Sequence, residues 1–210
     1  MAERPLVLIT GAAGNLGRSL AAALADGYRA VGLDVKGEAD FPLFEADLTS
    51  EESIRGALAK VRERFGGRFA SVVHLAAYFD FSGEPHPLYD KLNVEGTRRL
   101  LRALHGFAVE QFVHASTILV HAPCRPGERI DEDWPIDPRW AYPESKAKAE
   151  AAVREEAGEI PTVILRLAGV YDEESAVPTL AHQIARIYER DFQSYFYSGS
   201  TDVGQSMLHR

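Results

Sequence analysis

Residues Leu6 to Gly17 constrain this chain more than any others. Leu6-Val7-Leu8-Ile9 is an apolar run without polar alternation, the pattern of a strand buried on both faces. It runs directly into Thr10-Gly11-Ala12-Ala13-Gly14-Asn15-Leu16-Gly17, after which Leu16, Leu20, Ala23 and Leu24 recur at helical spacing. Glycines at a strand-to-helix turn let backbone come close to a pyrophosphate, and the helix N-terminus offers free N–H groups and a favourable dipole. A tight turn with no ligand uses the same residues, so the glycines alone leave both readings open.

The rest of the chain repeats the alternation. A second strand is expected over Tyr28 to Leu33, ending at Asp34, and a short third over Pro42 to Ala46. Ser50-Glu51-Glu52-Ser53 opens a helix that runs toward Phe65 and stops at Gly66-Gly67. Ser71 to Leu75 is a fourth strand, Leu92 to Leu104 a helix whose Arg98, Arg99 and Arg102 read as a solvated face, and Gln111 to Ala115 a fifth strand. From Ala122 to Pro143 five prolines mark a long ordered loop over a site. A helix from Pro143 to about Glu156 and a strand over Thr162 to Leu165 follow. Strand and helix alternating in this way predict an α/β fold, a doubly wound parallel sheet with helices on both faces.

Composition narrows the function classes. The 210 residues carry 23 Lys+Arg against 31 Asp+Glu, a net charge of -8, which argues against nucleic-acid or anionic-membrane partners. No apolar run approaches the roughly 18–20 residues of a membrane span. The first residues lead straight into a strand, so no signal peptide is expected, and the single Cys124 fits a reducing cytoplasm. The seven histidines form no helical i, i+4 pair, so no metal site is expected. His74 and His114 read as structural strand residues, and His121 is kept as a substrate-side candidate. Tyr78, Phe79, Asp80 and Phe81 line a substrate pocket or pack under the proline-rich loop, and Glu128, Asp131, Glu132 and Asp133 give that loop an acidic lip.

Two further features point to chemistry. Asp34 ends the second strand about 20 residues beyond the glycine turn, where a carboxylate accepts hydrogen bonds from an adenosine ribose and repels a 2′-phosphate. NAD is therefore expected over NADP, with Lys36 nearby as the counterweight. Tyr142-Pro143-Glu144-Ser145-Lys146 puts a phenol at a helix mouth, Pro143 being the first helical residue, and an ammonium one turn later. The ammonium is expected to lower the phenol from about 10 toward a working range for acid–base chemistry. Ser116-Thr117 follows the fifth strand at the same carboxyl edge as the glycine turn.

Taken together these residues resemble the extended branch of the short-chain dehydrogenase/reductase family, the NAD-dependent epimerase/dehydratase group, from Thr10 to about Tyr171. The turn matches T-G-x-x-G-x-x-G, His74-Leu75-Ala76-Ala77 matches H-x-A-A, Asn93 to Thr97 matches N-x-x-G-T, and Tyr142 with Lys146 fills Y-x-x-x-K. Phe112 to Val120 and Leu165 to Tyr171 resemble the family's F-V-x-x-S-S/T and L-R-P-x-x-V-Y-G segments, and 25 positions separate Thr117 from Tyr142. Departures fall at His121-Ala122 and Asp172, where the family has Tyr-Gly and Gly.

The resemblance implies Thr117, Tyr142 and Lys146 as catalytic residues. It implies Gly11, Ala13, Gly14, Asn15, Leu16, Gly17, Asp34, Asp47, Leu48, Leu75, Ala76, Ala77, Asn93, Tyr142, Lys146, Ala168 and Val170 as the cofactor site, Asn93 acting mainly as a brace. Residues 1–175 are then a Rossmann-type NAD(P)-binding domain. Residues 176–210 are the start of a substrate-binding region whose next helix would begin near Gln205 to Arg210. Family members run longer by about a 100-residue small domain, so a truncated or minimal member with its C-terminal substrate lobe largely absent is expected. The implied activity is hydride transfer at a secondary alcohol or carbonyl of a sugar-nucleotide-like small molecule, as oxidoreductase, epimerase or dehydratase. An NADP-dependent reductase of steroid-like or flavonoid-like ketones and a non-catalytic NAD(P)-binding sensor are the alternatives. A homodimer through the Leu92–Leu104 and Pro143–Glu156 helices is the quaternary hypothesis.

Overall fold

In a computed structural model, residues 4–80, 82–171, 178–196 and 206–209 are described. Strands β1 (Leu6–Thr10), β2 (Arg29–Asp34), β3 (Leu43–Glu45), β4 (Arg68–Phe69), β5 (Ser71–His74), β6 (Ala108–Val109), β7 (Phe112–Thr117), β8 (Thr162–Leu167), β9 (Gly169–Tyr171) and β10 (Met207–His209) alternate with helices α1 (Asn15–Leu24), α2 (Glu51–Phe65), α3 (Glu95–Leu104), α4 (Ala141–Glu156) and α5 (Pro178–Tyr188). Six strands form one sheet in the order β3-β2-β1-β5-β7-β8, every pair parallel. From β1 the chain winds first toward β3 and then, from β5 onward, toward β8. The order reverses between β1 and β5, which opens a crevice beyond their carboxyl ends.

Because side chains alternate across a strand, β1 serves two cores. Leu6 and Leu8 join a large cluster with Leu33, Ile54, Leu58, Phe69, Leu100, Leu101, Phe112 and Val153, under α2, α3 and α4. Val7 and Ile9 join a smaller one with Ala12 and Ala21, onto which Leu20 and Leu24 of α1 pack. Ser50 caps α2, accepting from Ser53 N, and Gly66 (φ 86°) ends it.

Several boundaries differ from expectation for identifiable reasons. A π-helical turn, Tyr89–Val94, precedes α3 where an unbroken helix is expected. The arginines of α3 are not simply solvated: Arg98 pairs with Glu155 (2.6 Å) and Glu156 (3.2 Å), Arg102 also pairs with Glu156, and Arg99 donates to the Leu48 and Lys91 carbonyls. Arg98 and Arg102 thereby tie α3 to α4. Helix α4 starts at Ala141, capped by Trp140, so Pro143 is its third residue rather than its first. The first four N–H groups of a helix have no intrahelical partner, so proline forfeits no hydrogen bond there. Around Met207–His209 the expected helix start is a strand, paired parallel with β9; Phe81, Asp172, Gln205 and Arg210 lie outside the described residues.

Candidate cofactor and active site

The glycine turn is folded by close contacts. Gly11 (φ 68°) donates to the Leu33 carbonyl at 2.9 Å, and a Cβ on it would stand 2.9 Å from Ala76 N. A Cβ on Gly17 would stand 2.5 Å from the Gly11 oxygen, so only glycine lets α1 begin there. On the outer side, Gly14, Asn15 and Leu16 are exposed, and Gly14 caps α1 without a side-chain hydrogen bond. The start of the helix is therefore open on this side, and the first N–H groups of a helix have no intrahelical partner. Asp34 accepts from Ala13 N (2.9 Å) and Val35 N (2.8 Å), which fixes its carboxylate beside the turn. Beyond it lies a cavity of about 710 Å³ lined by Asp34, Lys36, Gly37, Glu38 and Glu45 among others.

Leu75, Ala76 and Ala77 leave β5 alongside this turn, Leu75 N donating to the Thr10 carbonyl (3.2 Å). Asp47 accepts from both Thr49 N and Thr49 Oγ1 at 2.8 Å, and Leu48 is buried against Gly96, whose missing Cβ leaves it room. A buried relay joins these strands. Thr97 donates to the Asn93 carbonyl (2.7 Å), so it accepts from His74 Nε2 (2.9 Å); His74 Nδ1 then accepts from Thr10 Oγ1 (2.7 Å), which accepts from Ala76 N (3.2 Å). His74 is neutral in this arrangement, and burial, with Lys146 adding to it, lowers its pKa to about 3. Asn93 braces the next segment: its Oδ1 accepts from Tyr78 N (2.7 Å) and its Nδ2 donates to the Tyr78 carbonyl (3.0 Å) and Ser145 Oγ (2.9 Å). Ser145 donates in turn to the Tyr142 carbonyl at 2.7 Å.

At the mouth of α4 the pairing is looser. Lys146 is buried, 3% exposed, and its ammonium has no hydrogen-bond partner among the described residues. Burial lowers it to about 8, with Glu150 pulling the other way. Thr117 is 7% exposed; its oxygen accepts from Leu119 N (3.3 Å) and its hydrogen has no acceptor among the described residues. The Tyr142 ring lies in an aromatic group, 4.6 Å from Phe79, 5.6 Å from Trp140 and 6.3 Å from Tyr89. Burial there, with Tyr89 adding to it, pushes the phenol up to about 12. The expected depression by Lys146 is not found: burial among aromatic rings disfavours the phenolate, and Lys146 is not among the groups that shift it.

Ser116, beside Thr117, is fully engaged elsewhere. It donates to Glu150 (2.6 Å), which also takes Arg166 at 3.0 and 2.8 Å and Arg154 at 3.2 Å. Burial pushes the Glu150 carboxyl up, but the hydrogen bonds from Arg166 and Ser116 outweigh it and hold it below its ordinary range. Arg166 also reaches the Glu132 carbonyl (2.9 Å) and His121 (3.2 Å), whose other ring nitrogen meets the Trp134 carbonyl (2.9 Å). His121 is 6% exposed and pins the proline-rich loop, and it also lines a cavity of about 550 Å³ with Ile118, Asp131, Glu132 and Arg166. Sequence reasoning misses Glu150 and Arg166 as site residues, although Glu150 repeats the one-turn step from Lys146 amid alanines. Ala168 links β8 to β9, and Val170, in β9, pairs with Leu208 of β10. Among the described residues no three His, Cys, Asp or Glu side chains gather as a metal site, and no helix is long and apolar enough to cross a membrane.

A parallel sheet with this strand order, a glycine turn at its switch point and a Tyr-x-x-x-Lys helix at the same edge define a dinucleotide-binding protein of the short-chain dehydrogenase/reductase type. The chain belongs to the NAD dependent epimerase/dehydratase family, whose model matches residues 7–200. It is similar to the N-acetyl-alpha-D-glucosaminyl-diphospho-ditrans,octacis-undecaprenol 4-epimerase of Escherichia coli O157:H7, 32% identical over 159 residues, 74% of this chain and 45% of that protein. It is 31% identical over 132 residues to the decarboxylating sterol-4-alpha-carboxylate 3-dehydrogenase of Candida albicans, 61% of this chain and 35% of that one. The UDP-glucose 4-epimerase of Thermus thermophilus, solved as a complex with NAD, superposes with a TM-score of 0.70 at 29% identity, covering 88% of this chain and 63% of that one. The chain thus spans less than half the length of the two curated relatives named here.

Proposed function

We propose that this chain is the cofactor-binding and catalytic part of an NAD-dependent oxidoreductase of the epimerase or dehydratase kind, acting at a secondary alcohol or carbonyl of a sugar-nucleotide-like molecule. One observation carries the reading: the Lys146 side chain is 3% exposed, one turn beyond Tyr142 and at the carboxyl edge where the glycine turn opens, and its ammonium makes no hydrogen bond to a described residue. An ammonium with little access to water gains from an acceptor that a ligand supplies, and ribose hydroxyls are such acceptors. When bound, the dinucleotide supplies the hydride acceptor or donor. Lys146 holds its nicotinamide ribose, Gly11 to Gly17 accommodate the pyrophosphate, and Asp34 takes the adenosine ribose. Asp47, Leu48, Leu75, Ala76, Ala77, Ala168 and Val170 line the remainder. Thr117 donates its free hydroxyl hydrogen to the substrate oxygen, and Tyr142 exchanges a proton with the same oxygen.

Asp34, Glu38 and Glu45 around one lysine, Lys36, favour NAD, because a 2′-phosphate there meets net negative charge. Fluorescence titration with NADH and NADPH tests this: tighter NADH binding is expected, and no binding of either overturns the reading. The aromatic group around Tyr142 favours a second reading, a reductase of flat apolar ketones. Turnover of steroid-like ketones but of no sugar nucleotide decides for it. Residues 1–175 form the cofactor domain in this proposal, and 176–210 begin the substrate region. The setting is a reducing cytoplasm, in keeping with the single, exposed Cys124. The quaternary state is a homodimer through α3 and α4; a monomer in sedimentation at micromolar concentration removes it.

A further inference from the structure

The Lys146 side chain is buried, and groups from three elements share its electrostatic field. His74 of β5 and His114 of β7 both feel the lysine's charge, and burial together with that charge keeps the two rings neutral. Tyr142 lies one turn before Lys146 on α4, its phenol held in the protonated form by burial. Glu150 lies one turn after it on the same helix, 2% exposed, and is the carboxylate whose field acts on it. That carboxylate is held still by Arg166 of β8, by Ser116 of β7 and by the more exposed Arg154 of its own helix. Two of these partners sit on site strands: Ser116 is adjacent to Thr117, and Arg166 lies two residues before Ala168.

We propose that Glu150 is a positioning residue for this site, its clamped charge keeping Lys146 protonated while its bonds to Ser116 and Arg166 fix α4 against the strand edge that carries Thr117. The inference rests on the reading of Lys146 as the ribose-binding cation. An uncompensated ammonium in an apolar setting sheds its proton, whereas a fixed carboxylate one helical turn away opposes that loss. A surface carboxylate would not serve as well, because solvent would screen it and its side chain would wander. Burial makes the charge effective, and the arginine and serine hydrogen bonds make burial tolerable.

The test follows NADH binding, read by fluorescence, across pH 6 to 10 in the full chain. In the unaltered protein affinity is expected to fall with rising pH around a midpoint near 8, the value to which burial lowers Lys146. Glu150→Gln is expected to move that midpoint to lower pH by at least about half a unit, a threefold change in the protonated ratio. Glu150→Asp, which keeps the charge, restores it. Arg154→Gln strips a cation from Glu150 at an exposed site, where folding is not at stake, and moves the midpoint a smaller distance upward. A midpoint that stays fixed in Arg154→Gln and in Glu150→Gln shows a structural clamp only and overturns the proposal. If Glu150→Gln does not fold, Arg154→Gln alone decides. Absence of NADH binding by the unaltered protein at every pH overturns the cofactor reading as well, which separates the two failures.

Discussion

The two ends of the crevice handle polar groups in opposite ways. Around the glycine turn the protein answers its own needs: Thr10, His74, Thr97 and Asn93 form one continuous relay, and Asp34 is held by two backbone N–H groups. At the mouth of α4, Lys146 and the Thr117 hydroxyl hydrogen are left without partners among the described residues, close to a Ser116 that is fully bonded. In the proposed reading, one end is shaped for a ligand's anion to fit closely against backbone, and the other keeps polar atoms for a ligand to satisfy. Shape is a matter of contacts that glycine permits, whereas reserve is a matter of groups kept apart from their natural partners.

This contrast can be broken at either end. The largest effect is expected from Tyr142→Phe, which should lower turnover by about 10²–10⁴-fold while leaving NADH affinity nearly unchanged. If NADH binding is lost along with turnover, the phenol belongs to the packing and the contrast fails at the α4 end. At the other end, Gly17→Val forces a side chain against the Gly11 oxygen and should cost about 2–3 kcal/mol in urea unfolding, with Tm falling accordingly. Stability unchanged to within about 0.5 kcal/mol would mean the turn yields, and shape is not its device.

Acid should act on the relay next. His74 ionises near its ordinary 6.5 when unfolded but is held to about 3 when folded, so the unfolded chain binds the extra proton between those values. Its contribution is complete above pH 6.5 and is lost as pH falls toward 3. Urea melts at pH 6.5 and pH 5 should differ by about 2 kcal/mol from this group, and His74→Gln should flatten that slope. A slope equally steep in the variant would put the acid sensitivity elsewhere. The smallest effect is expected at the rim: Asp34→Ser should narrow the preference for NADH over NADPH by about 10-fold. An unchanged preference would mean the surrounding acids, not Asp34, exclude the 2′-phosphate.

What the sequence reveals follows from distance along the chain. The glycine turn, Asp34 and the Tyr142–Lys146 step are legible because each depends on local spacing at a strand end or a helix face. So is the order of the main elements, since the six strands of the large sheet show as apolar runs with helical patterns between them. The Glu150 clamp is not legible in the same way. Its partners lie 34 positions before it at Ser116 and 16 after it at Arg166, and His121 stands 45 positions before Arg166. No periodicity joins such residues; the sheet does, by laying β7 and β8 side by side beneath α4. The state of Tyr142 is hidden for a related reason. Spacing shows that a lysine is one turn away, but not that Phe79 and Tyr89, from two distant places in the chain, join the neighbouring Trp140 around the Tyr142 ring.

The relay through His74 has a further consequence, one of time rather than energy. Both of its ends are backbone groups, the Ala76 N–H and the Asn93 carbonyl, so only one direction of donation satisfies every member. The ring proton on Nε2 is therefore held between β5 and α3, where His74 and Thr97 are both buried. It exchanges with solvent only through an opening that lifts α3 from β5. A single slowly exchanging imidazole resonance would then count the openings of that helix from the sheet.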